Sequence, residues 1–230
     1  KWKLSAMAFM SATVFTAACN TGSNAPEQEQ KPAGYNPNFK VEAESFADLQ
    51  VLRFEAPGFN QLSLQQKQLA YYLYEAALSG RDIIYDQRSK YGLLVRKTLE
   101  TIYGTYTGDK SNDEWKQFET YCGRFWFSNG YHHHYANDKF IPECSFAYFT
   151  TILKASDTSL LPLEAGETTD GLLARLKEIV FDPAFEPKLV DQRPDIDNVL
   201  HSSANFYEGV TQDEVEAFYA QFDTKGHAPS

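Results

Sequence analysis

The chain has 230 residues, 43% apolar and 15% aromatic, enough to fill the core of one large domain or two small ones. Its 31 acidic residues outnumber 21 basic ones for a formal charge of -10, and the Lys and Arg residues are scattered along the chain. That balance argues against duplex nucleic acid or an anionic membrane surface as a partner.

Residues 1–19, KWKLSAMAFMSATVFTAAC, read as a secretory signal, because Lys1 and Lys3 precede an uncharged stretch from Leu4 to Ala18. That stretch of 15 residues falls short of the ~20 that a spanning helix needs. Ala17 and Ala18 before Cys19 look like a bacterial lipoprotein cleavage box, with Thr16 where such a box usually has Leu. Cys19 is then the lipidation site of an exported, periplasmic or membrane-anchored protein; the other reading is an ordinary signal with an incidental cysteine. Residues 20–45 are polar and rich in Pro, Gly, Gln and Asn, which predicts a disordered tether.

From Phe46 the periodicity is mostly helical, so the expected fold class is mainly α, with at most a short strand (α+β). In LSLQQKQLAYYLYEAALSG, Ser63 with Gln66 forms a capping-box signature, Gly80 is a stop, and the apolar Leu69, Tyr72, Leu73, Ala76 and Ala77 recur at helical spacing of three and four. A second helix is predicted from about Tyr91 to Tyr106, carrying Leu93, Leu94, Leu99, Ile102 and Tyr103 inward. A third runs from Asn112 into Phe127 with Trp115, Phe118, Tyr121, Cys122, Phe125 and Trp126 on a broad apolar face. Pro142 interrupts regular structure before helices at about Ser145–Lys154 and Thr169–Phe181. The segment 198–207 is the one strand candidate, on its β-favouring residues, and Thr211 with Glu214 repeats the capping box before a final helix. Residues 223–230 form a tail. Cys122 and Cys144 could pair in an exported protein or stand as two small part-buried hydrophobes.

The most conspicuous motif is His132-His133-His134. Adjacent histidines fan around a helix or alternate across a strand, so at most two could share a metal unaided, and no His-Glu dipeptide accompanies them. No metal site is therefore expected on this chain. A Gly-x-Ser-x-Gly elbow and phosphate-cradling glycine motifs are also missing, and Cys122 lies on an aromatic helical face where a thiol stays protonated. The acid pairs Asp113-Glu114 and Asp213-Glu214 complement helix dipoles. The expected set of catalytic residues is empty.

Three stretches carry a resemblance: LQVLRFEAPGFNQLSLQQKQLAYYLYEAALSGRDIIYDQRSKY, FWFSNGYHHHYANDKFIP and NFYEGVTQDEVEAFY. Together they resemble the N-terminal part of dipeptidyl peptidase III, in particular its Bacteroides-type branch, over about three-quarters of the chain. The resemblance implies a two-lobed zinc exopeptidase that releases dipeptides from peptide N-termini. Its zinc ligands lie in a His-Glu-x-x-x-His motif and a later glutamate on the upper lobe, outside this chain. Residues 46–222 are then the N-terminal segment of the lower lobe, inactive alone, with short peptides and the upper lobe of its own polypeptide as partners and the membrane met only through the lipid anchor. Beginning at Lys1 rather than Met fits such a truncated reading. The resemblance further implies that the loop from Asn129 and Gly130 to Lys139 faces the interlobe cleft, with Tyr135 lining a substrate pocket. His132, His133 and His134 are implied to be polar cleft wall or hydrogen-bond donors that fix the loop. The alternative is a non-enzymatic surface lipoprotein that binds peptides.

Overall fold

The computed structural model describes residues 36–222. The signal, the Cys19 lipidation site, most of the tether and the tail therefore lie outside the described residues.

The first elements are two antiparallel strands, β1 (Glu42–Phe46) and β2 (Leu49–Leu52), joined by a tight turn in which Ala47 adopts φ 50°. The expected tether boundary at residue 45 thus falls inside a strand, and the sheet lies here rather than near 198–207. Alternation in EAESF and LQVL is too short to stand out alone, and pairing across the turn supplies the missing stabilisation. A short 3₁₀ turn at Pro57–Gln61 follows.

Helix α1 (Leu64–Ser79) starts on the expected capping box: Gln66 N donates to Ser63 Oγ, and Ser63 N donates to Gln66 Oε1 at 2.9 Å. Gly80 ends it and immediately begins α2 (Arg81–Arg88), a helix without a sequence signal of its own because it follows a stop without a gap. The apolar stripe of α1 is not in a core. None of its residues is buried, and Leu69, Tyr72 and Leu73 are 59%, 68% and 61% exposed.

The core is built by α3 (Gly92–Thr105), α4 (Asp113–Ser128), α5 (Phe146–Lys154) and α6 (Thr169–Phe181). Val95, Leu99 and Ile102 of α3 meet Trp115, Phe118, Tyr121, Cys122 and Phe125 of α4, with Leu172, Leu176 and Ile179 of α6 in the same cluster. Aromatic pairs tie the layers: Phe118 to Phe149 at 6.1 Å, and Phe149 to Phe181 edge-on at 5.3 Å. Side chains from Asn112, Ser145 and Thr168 cap α4, α5 and α6. Helices α2 and α3 approach so closely that a Cβ on Gly92 would lie 2.2 Å from the Tyr85 carbonyl oxygen, which leaves room for hydrogen alone.

The strand expected over 198–207 is replaced by a one-turn helix, α7 (Asn198–His201), and a looping segment after it. Asp197 caps that turn by accepting from Leu200 N at 2.9 Å, and this local bond outweighs the weak strand preference of Val199, Phe206 and Tyr207. Helix α8 (Gln212–Tyr219) begins on the predicted Thr211–Glu214 capping box. Cys122 and Cys144 are both buried and free, which settles their two readings in favour of small hydrophobes. Among the described residues no helix is long and apolar enough to cross a membrane.

Candidate functional site

Helix α4 ends where the chain must turn into the histidine stretch. Asn129 takes the left-handed conformation at φ 54°, Gly130 follows at φ 152°, and Gly130 N donates to the Phe125 carbonyl at 3.0 Å. Asparagine and glycine tolerate these angles where a branched residue would not. Both residues, expected at the cleft, thus act locally, stopping the helix and setting the direction of the loop.

Tyr131 then plunges inward, and its hydroxyl meets a carboxylate that sequence reasoning missed. Tyr131 Oη and Ser89 Oγ both donate toward Glu186 Oε2, the latter at 2.9 Å, while the two hydroxyls lie 2.6 Å apart. Burial, with the Glu186 charge second, pushes the Tyr131 phenol far above its ordinary value, so it remains a donor. Glu186 itself sits at φ 45°, a backbone state that costs a non-glycine residue about 1–3 kcal/mol. It is held there from both ends: the carboxylate takes Tyr131 and Ser89, and the carbonyl accepts from His132 Nε2 at 2.7 Å.

A carbonyl can only accept, so His132 is protonated at Nε2, which leaves Nδ1 bare 3.4 Å from Ser203 Oγ. Ser203 Oγ gives its one proton to the Arg88 carbonyl at 2.9 Å, and Arg88 Nη2 donates to the His132 carbonyl at 3.1 Å. Burial, reinforced by the Arg88 and Lys139 charges, lowers the His132 pKa to about 4. It is a buried, neutral histidine whose Nε2–H holds the loop to the Glu186 carbonyl, in keeping with the loop-fixing donor of the two expected roles.

His133 is half-buried and works as an acceptor rather than the expected donor: its Nδ1 takes the backbone N–H of Tyr135 at 3.2 Å and of Ala136 at 3.0 Å. Its Nε2 then points to Asp48, 3.8 Å away in the hairpin turn. His134 is exposed and stands edge-on against Phe127 at 4.9 Å; partial burial and the neighbouring His133 hold its pKa below the ordinary value. Beyond them Tyr135 is 88% exposed. The three histidines therefore serve three purposes, one in the interior, one in the turn and one on the surface.

The returning arm of the loop is pinned as firmly. His133 N donates to Asp138 O at 2.7 Å, Phe140 N to Tyr131 O at 3.0 Å and Lys139 N to Pro187 O at 3.0 Å. Lys139 Nζ donates to the carbonyls of Asp182 and Phe185, both at 2.7 Å, and burial lowers its pKa to about 8. Beneath the loop a cavity of about 210 Å³ is lined by Asp48, Leu49, Arg124, Ser128, His133 and Phe140, and Arg124 Nη2 bridges to Asp48 Oδ1 at 2.8 Å.

Ser203 is buried and its proton goes to a carbonyl, while burial raises the Cys122 thiol well above its ordinary value and Cys144 to about 12. The donor set does not fit a resident zinc. His132 is buried with its Nε2 proton given to the Glu186 carbonyl, His133 Nδ1 is taken by two amides, and no group of three potential ligands occurs among the described residues. Of the buried network only Tyr131 and His132 belong to the sequence motif; Ser89 and Glu186 reach Tyr131 from 42 and 55 positions away and Ser203 reaches His132 from 71, with no local signal. No protein-family model matches the chain, and no curated protein matches it either.

Proposed function

We propose that this chain is the N-terminal, mainly helical part of the lower lobe of an exported zinc-dependent dipeptidyl peptidase of the dipeptidyl peptidase III type, tethered through Cys19, and that it supplies part of the wall of the peptide cleft. The observation that carries the reading is Tyr135, an aromatic ring 88% exposed at the tip of a loop whose two arms are anchored to α2, α4 and the Glu186 segment. A ring held out from a rigid base loses little entropy when a peptide side chain stacks on it. The open face of α1, with Leu69, Tyr72 and Leu73 in water, agrees with a body that continues into further polypeptide. Zinc and its ligands belong, on this reading, to residues outside the chain, so the residues here bind and orient peptide without entering the bond-breaking step.

Dipeptidyl-naphthylamide hydrolysis tests this. The isolated chain should not turn the substrate over, whereas a polypeptide extended past Ser230 along its reading frame should do so in a chelator-sensitive manner. In that longer protein Tyr135→Ala should raise KM about tenfold with kcat little changed, the loss of one aromatic contact. Turnover by the isolated chain, or unaltered kinetics in Tyr135→Ala, would overturn the reading.

A further inference from the structure

A second concavity lies on a different face of α4 from Arg124 and Ser128. It has a volume of about 340 Å³ and is lined by Glu44 and Phe46 of β1, Tyr103 of α3, and Glu119, Gly123 and Trp126 of α4, with Thr120 at its side. Residues 119, 123 and 126 fall on one helical stripe, so the groove is written into the period of α4. Tyr103 and Trp126 meet edge-on, 5.2 Å between centroids and 89° between planes, and form an aromatic corner, while Tyr103 also stacks on Trp115 at 6.1 Å. Phe46 closes it from the hairpin. A Cβ on Gly123 would lie 2.8 Å from Phe46 Cε2, so the bare glycine is what lets the ring rest against the helix.

Two carboxylates flank these rings. Glu119 accepts from Tyr103 Oη at 3.1 Å, and burial together with that bond raises the Tyr103 phenol above its ordinary value. Neither Glu44 nor Glu119 is in an ion pair among the described residues, and no Lys or Arg lines the groove. Lys110 Nζ, 5.8 Å from the Tyr103 centroid and bonded to the Tyr103 carbonyl, is not among the lining residues. Aromatic faces carry negative potential and attract a cation most strongly when it sheds water, while carboxylates at the rim neutralise it. A hard metal ion would want several oxygen ligands, and the walls here are rings. A neutral apolar guest would leave the charges of both acids unbalanced.

We propose that this groove binds an alkylammonium group, of the kind carried by a lysine side chain or by a trimethylated amine, with Phe46, Tyr103 and Trp126 contacting its carbon substituents and Glu44 and Glu119 balancing its charge. The site does not depend on the peptidase reading. Calorimetry and ¹⁵N-detected titration of the full chain test it with two matched pairs: choline against its neutral isostere 3,3-dimethylbutan-1-ol, and N-acetyl-lysine methylamide against the norleucine counterpart. At least one ammonium probe should bind about tenfold or more tightly than its neutral partner and shift the Trp126 indole resonance, assigned by its loss in Trp126→Phe. Which ammonium wins identifies the source. The Glu44→Gln/Glu119→Gln double variant should weaken binding about tenfold with the circular dichroism unchanged. Thr120→Lys, which places a tethered ammonium beside the groove, should abolish it. Equal binding of a neutral partner, no binding of either ammonium, or undiminished binding by the double variant or by Thr120→Lys would overturn the proposal.

Discussion

Helices α1 and α4 are each 16 residues long, and each begins on a side-chain cap, Ser63 for one and Asn112 for the other. Both carry a row of large apolar residues at helical spacing. Yet α4 buries Trp115, Phe118, Tyr121, Cys122 and Phe125, and α1 buries nothing. The contrast separates two properties that a periodic sequence merges. A cap and a run of helix formers decide that a segment is helical; whether its stripe becomes core is decided by which other segments are present to meet it. For α4 those are α3, α5 and Tyr131 from the histidine loop. For α1 the described residues offer α2 along a short edge, and that does not cover Tyr72 or Leu73.

The largest expected effect breaks the contrast at its centre. Phe118→Ala removes a fully buried ring and should cost about 3–5 kcal/mol in urea unfolding, against roughly 0.5 kcal/mol or less for Tyr72→Ala on α1. A comparable loss at Tyr72 would mean that α1 is packed in solution. Next is the loop that α4 delivers. The folded protein disfavours the His132 imidazolium, so the contribution of the neutral ring is complete above the ordinary value of 6.5 and is lost as pH falls through the window down to about 4. On the order of 3 kcal/mol should go in that interval. The corresponding slope should be absent in His132→Gln and intact in His134→Gln, whose ring is at the surface; equal slopes in all three proteins would show that His132 does not titrate as its burial requires. The smallest effect sharpens the comparison. Asn112→Ala should cost about 1 kcal/mol of global stability, whereas Ser63→Ala should leave the unfolding midpoint in place and instead speed amide exchange at Gln66 and its neighbours.

Much of the helical framework was legible from short-range chemistry. The capping boxes at Ser63–Gln66 and Thr211–Glu214 form as the residues imply, and the helices begun by Asn112, Ser145 and Thr168 end close to where periodicity ends. What escaped had its cause elsewhere in the chain. The hairpin needs pairing across a turn, α2 hides behind Gly80, and the segment after Asp197 is decided by a cap rather than by β preference. The candidate site divides the same way. His132, His133 and His134 are chemically identical in sequence, and only the distant Glu186, Ser203 and Asp48 assign them an interior, a turn and a surface position. Tyr135 was marked by the resemblance alone, and its standing free of the fold had no local signal.

Gly80 is at once the last cap of α1 and the first of α2, with φ -85° and ψ 1°. One residue's two torsions therefore aim a rod about 24 Å long. Rotation of about ten degrees at that pivot swings Leu64 through roughly 4 Å while α3 to α6 stay still, because no side chain of the rod is locked into them. The bearing of α1 is thus set at its two ends, by the Gly80 torsions and by the connection from β2, and not by burial along its length.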